Sequence, residues 1–123
     1  MVKIYIASPY TNGDKQNNVY FQMDVAEQLM NRGYAPYVPT MLHYMEIRNH
    51  RTEEDWLNLD FEYLSCCDIV IRMKPLKDGV EIKSPGADKE EALARKYEIP
   101  VFIFNTIEQM CAYLDNHPFD LLD

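Results

Sequence analysis

Two carboxylic acids, a tyrosine and a few small polar residues are where this sequence could do chemistry. In Ser84-Pro85-Gly86-Ala87-Asp88-Lys89-Glu90, Pro85 pre-sets the chain just ahead of a helix and Gly86 lets a ligand approach the backbone closely. Glu90 then falls about one turn inside that helix, on the stripe shared with Ala87, Ala94 and Tyr97. A carboxylate there faces a sheet, and the positive helix end favours its ionised form, as a nucleophile requires. The same charged run also suits a solvated first turn. Asp60 lies one helical turn from Trp56 and from Leu64, so its side is expected to be partly buried. A buried acid needs a partner or a raised pKa, which is what a proton donor needs. It equally fits as one more solvated acid beside Glu53, Glu54, Asp55 and Glu62.

Tyr5 falls inside an apolar run, and a buried tyrosine hydroxyl wants a partner, a role a carboxylate across the sheet would fill. The segment Ser8-Pro9-Tyr10-Thr11-Asn12-Gly13 offers hydroxyls, amides and free helix-terminal N–H groups suited to sugar or phosphate oxygens. It contains neither a P-loop nor the dinucleotide glycine pattern, and it reads as well as a turn with helix caps. His43 could read a base edge or move a proton, or simply be an exposed loop histidine. Asp68 is read as a cap or turn residue without a catalytic part.

The elements that must position these residues alternate in type. Val2–Ala7, Tyr34–Val38, Asp68–Met73 and Pro100–Phe104 are short, near-continuous apolar runs, as in strands buried on both faces of a parallel sheet. Between them lie helical patterns. One spans Asp14–Arg32, with Val19, Met23, Ala26, Leu29 and Met30 on its stripe and Gly33 as C-terminal cap. Another starts at Thr52, where Thr52 and Asp55 resemble a capping pair, and carries Trp56, Leu57, Phe61 and Leu64. A third covers Ala87–Tyr97 and a last one Thr106–Leu114, with the tail from His117 to Asp123 unassigned. Such alternation predicts a three-layer α/β sandwich with a small parallel sheet, of the flavodoxin or Rossmann-like kind, in one domain over residues 1–123. Loops after strand C-termini surround the ligand crevice in such sheets: Ser8–Gly13, Pro39–Arg51, Lys74–Gly86 and the stretch after Phe104. Pro39–Arg51 and Lys74–Lys83 are too long for simple turns, and long loops are often functional.

Composition narrows the partners. With 47% hydrophobic residues the chain can build a core, and its formal net charge of −8 disfavours a long nucleic acid. A small phosphorylated ligand held by backbone amides stays open. Cys66, Cys67 and Cys111 show no metal-binding spacing and are expected as buried free thiols in a reducing, cytoplasmic setting. No stretch approaches the ~20 apolar residues of a membrane span, and the N-terminal apolar run is too short for a signal peptide.

In this order the pieces KIYIASPYTNG, RGYAPYVP, DFEYLSCCD and SPGADKEEALARKYEIPVFIF resemble the nucleoside 2-deoxyribosyltransferase-like superfamily, over roughly Lys3 to Phe104. That group includes base-exchanging transferases, deoxynucleoside 5′-monophosphate N-glycosidases and small bacterial and phage proteins, which this chain resembles most. The resemblance implies that Glu90 is the nucleophile, Asp60 the acid assisting departure of the base, and Tyr5 the hydroxyl bonded to the nucleophile. Ser84 falls where the transferases carry an aspartate for the sugar 5′-hydroxyl and the monophosphate N-glycosidases a serine for phosphate. Ser84 and Ser8 therefore favour a 5′-phosphorylated ligand, with Gly86 and Asn12 as further binding positions. His43 stands near the position where the transferases use a glutamine to hold the base. Two departures are visible: Glu91-Ala92 follows Glu90 where the family usually has glycine shortly after, and KPLKDGVEIK is a longer, more charged loop.

The reaction implied is N-glycosidic cleavage or base transfer on a nucleoside or its 5′-monophosphate through a glycosyl-glutamate, with no metal or organic cofactor. A homo-oligomer is also implied, with Asn105 and Thr106 as contributions to a neighbour's site. Two other readings stay open: a catalytically inactive nucleotide-binding module on the same fold, and a flavodoxin-like scaffold whose charged clusters are only solvated faces.

Overall fold

The computed structural model describes residues 1–120. Strands β1 (Lys3–Ala7), β2 (Ala35–Tyr37), β3 (Ile69–Met73) and β6 (Val101–Phe104) form one parallel sheet in the order β2-β1-β3-β6. A separate two-stranded hairpin pairs β4 (Leu76–Lys77) with β5 (Val80–Glu81). Its turn residues Asp78 and Gly79 both have positive φ, the primed geometry that matches strand twist. The helices are α1 (Lys15–Asn31), α2 (His43–Arg48), α3 (Glu53–Leu64), α4 (Pro85–Lys96) and α5 (Ile107–Asn116), with a 3-10 turn over Pro39–Leu42.

Alternation along the strands divides the core into two layers. Ile4, Ile6, Ile69, Ile71 and Met73 pack with Val25, Ala26 and Leu29 of α1 and with Met110 and Leu114 of α5. Tyr5, Ala7 and Val70 pack on the other side with Leu64 of α3 and with Ala87 and Ala94 of α4. This is the three-layer α/β sandwich that the alternating runs predict. Every residue of β3 is buried, so it reads as a continuous apolar run with one exception, Arg72.

The helix ends follow local chemistry. After α1, Gly33 N–H bonds Met30 O and Tyr34 N–H bonds Leu29 O, with Gly33 at φ +84, a Schellman cap. Thr52 and Asp55 form the expected capping box of α3. Ser84 caps α4, which starts at Pro85, two residues before the predicted start.

Several expectations are corrected. Met23 and Met30 lie on the exposed side of α1, and Gln22 takes the buried place. Tyr97 is the C-cap of α4 and is exposed, while Ala87, Glu90 and Ala94 are buried as predicted. Pro39–Arg51 is no open loop but the 3-10 turn followed by α2. The cysteines are free, yet Cys66 is exposed and the other two are only half-buried. Of the tail, Phe119 folds back on Tyr34 and Phe102, and its N–H bonds the Tyr34 hydroxyl; positions 121–123 lie outside the described residues.

Candidate active site

At the C-terminal ends of β1 and β2 the chain encloses a cavity of about 270 Å³. The strand order places β1 beside β3, and the chain leaves these neighbours toward opposite layers, α1 after β1 and α4 on the path to β6. A crevice opens at such a switch point. Ser8, Tyr10 and Thr11 come from the loop after β1; Thr40, Leu42, His43 and Glu46 from the segment after β2; Trp56, Leu57 and Asp60 from α3; Gly86 and Glu90 from α4. Three of the four segments named from the sequence thus line it. The stretch after Phe104 does not: Asn105 Nδ2 donates to Lys74 O and Thr106 caps α5.

Glu90 is buried and reaches the cavity from beneath. The Tyr5 hydroxyl, one strand residue deep in the same layer, donates to Glu90 Oε2. Burial pushes the Glu90 carboxyl up to about 8. The expected support of the helix end is outweighed, because desolvation of a fully enclosed carboxylate is the larger effect. Tyr5 opposes it, since a hydroxyl donating to a carboxylate favours the charged form. Asp60, on α3, lines the same cavity, and burial raises its carboxyl to about 7. Asp60 Oδ1 and Ser8 Oγ are buried without a hydrogen-bond partner among the described residues. Buried polar atoms without partners cost stability unless something else fills the role, and both atoms belong to residues of the cavity wall.

Behind these groups stands a row of tyrosines. Tyr5 and Tyr37 are register partners on β1 and β2 and stack at 5.5 Å, and Tyr37 stacks on Tyr63 of α3 at 4.9 Å. Burial, then the nearby Asp60, pushes the Tyr37 hydroxyl up to about 12. His43 is buried in the wall, its Nδ1 hydrogen-bonded to the Tyr10 hydroxyl. Burial followed by Glu46 raises the Tyr10 hydroxyl, so it stays protonated. Glu46 accepts from Arg51 N–H, Trp56 Nε1 and His50, which hold its carboxyl below the usual range, with the Arg51 bond foremost. Gln22 joins the walls: its Nε2 donates to Ser8 O at 3.3 Å and Pro9 O at 3.1 Å, and its Oε1 accepts from Thr40 Oγ1 at 3.0 Å.

The sequence-predicted residues therefore divide. Glu90, Asp60, Ser8, His43 and Gly86 line one cavity, and Tyr5 bonds Glu90 directly behind it. Ser84 and Asn12 are not among the lining residues. Ser84 Oγ accepts from Ala87 N–H at 3.2 Å, and Asn12 Nδ2 donates to Lys83 O at 2.7 Å, bracing the loop after β1 against the loop before α4. Asp68 accepts from Lys3 N–H at 2.8 Å, as a turn residue should. Tyr10, Gln22, Thr40, Glu46 and Trp56 escaped the sequence reading, although the loops holding Tyr10, Thr40 and Glu46 did not. Among the described residues no cluster of three or more His, Cys, Asp or Glu side chains is arranged to hold a metal ion, and no helix is long and apolar enough to cross a membrane.

Two carboxyl groups from separate helices on one cavity, one of them oriented by a phenol, can serve as a nucleophile and a proton carrier at a single carbon centre. The fold agrees with known structures. A 2-deoxyribosyltransferase from Bacillus psychrosaccharolyticus superposes with a TM-score of 0.64 at 18% identity, covering 98% of this chain and 93% of that one. A 2-deoxyribosyltransferase from Leishmania mexicana gives 0.62 at 20% identity, covering 85% of this chain and 65% of that one. The chain thus has a nucleoside 2-deoxyribosyltransferase-like fold. No curated protein matches it by sequence. Residues 2–104 match the family described as "Domain of unknown function (DUF7768)", and the chain belongs to that family.

Proposed function

We propose that this protein cleaves the N-glycosidic bond of a nucleoside or its 5′-monophosphate, or transfers the sugar to another base, through a glycosyl-glutamate at Glu90. The observation that carries the reading is the Tyr5–Glu90 hydrogen bond beneath a cavity that Asp60 also lines. The two similar structures, both 2-deoxyribosyltransferases, support the nucleoside class. A Glu90 oxygen attacks C1′ as the C1′–N bond breaks, and the bonding pair leaves with the base. Asp60 gives its proton to that base. A water or a second base, deprotonated by Asp60, then attacks C1′, freeing Glu90 and reprotonating Asp60. This is the retaining logic of one nucleophile and one acid/base.

Ser8 Oγ, unpartnered and buried, and the Lys15 and Arg51 side chains in the wall favour a 5′-phosphate on the ligand. Tyr10-held His43 stands ready for the base, and Ser84 and Asn12 support the loops around the sugar end. The site takes no long nucleic acid, and the reading includes one domain and a homo-oligomer, the latter checked by sedimentation. A panel of deoxynucleosides, ribonucleosides and their monophosphates, assayed for free base and for exchange into added base, tests the function. Base release lost in Glu90→Gln supports it. No release from any of them, with binding seen as a melting shift, supports the second reading, a binding module, which the largely protonated Glu90 favours.

A further inference from the structure

Arg72 has no part in the reaction above, yet it is the largest wholly buried side chain among the described residues. It interrupts the apolar run of β3 and shares its face with Val70, in the layer under α4. Its neighbours in register are Ala7 on β1 and Ile103 on β6, and the small Ala7 leaves it room. Nη2 donates to Asp88 Oδ1 at 2.8 Å, and Nε lies 3.5 Å from Glu91 Oε1 as an ion pair without a hydrogen bond, Nε and Nη1 having no hydrogen-bond partner among the described residues. Glu91 is bonded in turn by Arg95 at 3.1 Å. A buried guanidinium persists only when anions hold it. Here both anions come from one helix and they flank Glu90 in sequence.

The helix is thereby gripped from two adjacent strands. Asp88 and Glu91 are three apart and share a side of α4 that Arg72 holds from β3. Ala87, Glu90 and Ala94 form the side that faces the sheet, where Tyr5 of β1 receives Glu90. A carboxylate stands ~5 Å from its helix axis, so a rotation of about 20° moves it by ~2 Å, enough to break a hydrogen bond. Ala87 and Ala94 pack smoothly, because neither side chain extends past its Cβ, and the half-buried Leu93 is the longer apolar side chain that α4 packs into this layer.

We propose that Arg72 is a positioning residue that fixes the rotation of α4 and so keeps Glu90 on Tyr5 and at the cavity floor. The inference rests on the proposed role of Glu90 for its catalytic consequence, but its geometric content is measurable without turnover. The groups facing Glu90 are Tyr5 from β1 and, in the same cavity, Asp60 from α3.

The test follows the Glu90 carboxyl by carbon-13 NMR titration in wild type, Arg72→Met, Arg72→Lys and the double variant Asp88→Asn/Glu91→Gln, with circular dichroism to establish folding. In Arg72→Met the Glu90 titration is expected to fall by at least about one unit as the carboxyl leaves its enclosed seat. Arg72→Lys, which keeps a donor for Asp88, is expected to recover most of that change. With an active substrate, kcat drops about tenfold or more in Arg72→Met while KM moves by less than about threefold. Should Arg72→Met fail to fold, the double variant decides, since it leaves the guanidinium in place and removes only its anions. An unchanged Glu90 titration in a folded variant overturns the proposal. Absence of turnover in the wild type overturns the functional reading instead, and the titration still judges the clamp.

Discussion

The Tyr5 hydroxyl donates to Glu90 Oε2 across 85 positions of sequence, joining the second layer of the sheet to the helix that covers it. Glu90 is raised to about 8 by burial from an ordinary 4.5, so the fold favours its protonated form. The stability this contributes is complete below about pH 4.5 and is lost as pH rises through about 8. Glu90→Gln cannot ionise, so it is expected to melt above wild type at about pH 9, by several degrees, with the gap closing below about pH 5. The same variant loses base release. Calorimetry at the two pH values, beside the base-release assay, checks both halves.

The proposed turnover needs Glu90 ionised and Asp60 protonated, yet Asp60 is raised to only about 7 while Glu90 is raised to about 8. The productive pair is then the minority form of the free protein, and kcat/KM follows a bell centred between those values. Asp60→Asn is expected to cost about 10²–10⁴-fold with an ordinary base and to remove the alkaline limb. A base that departs without a proton should be cleaved nearly as well by that variant as by wild type. An alkaline limb that persists in Asp60→Asn assigns the proton to another group.

Removing the phenol acts on Glu90 instead. Tyr5→Phe withdraws the O–H that supports the charged carboxylate, so Glu90 ionises at still higher pH. Because Glu90 titrates above Asp60, the alkaline limb of kcat/KM is expected to move up by about one unit and the maximum to fall about tenfold, with little change in KM. A profile that does not move shows that Tyr5 leaves the ionisation of Glu90 untouched.

Gly86 offers a cleaner probe of where a ligand lies in the cavity. A Cβ added there meets Leu57 Cδ2 at 3.8 Å and Glu53 Oε1 at 4.0 Å, ordinary contacts that nothing must yield to. Alanine also suits the first turn of a helix better than glycine. Gly86→Ala should therefore fold at least as stably as wild type, and a rise in KM would report a ligand against that backbone. An unaltered KM would place the ligand elsewhere in the cavity.

Much of this architecture was legible because its signals are local. The strands announce themselves as apolar runs, and Gly33, the Thr52–Asp55 pair and Ser84-Pro85 mark helix ends by hydrogen bonds made within a few residues. Glu90 was legible as well, since a buried acid between Ala87 and Ala94 keeps helical spacing. What stayed hidden depends on distant partners. Gln22 looks like a polar interruption until the carbonyls of Ser8 and Pro9 and the hydroxyl of Thr40 surround it. Helix α2 is six residues long, too short to show periodicity, and is held by what Glu46 bonds beyond it. Arg72 breaks an apolar run with a charge whose anions lie 16 and 19 positions away.

Gln22 has a reach beyond its own helix. α1 packs on the layer opposite α3 and α4, yet a single amide of that helix holds both the rim after β1 and the rim after β2. Two rims of the cavity are thereby tied to each other by a residue from the far side of the sheet.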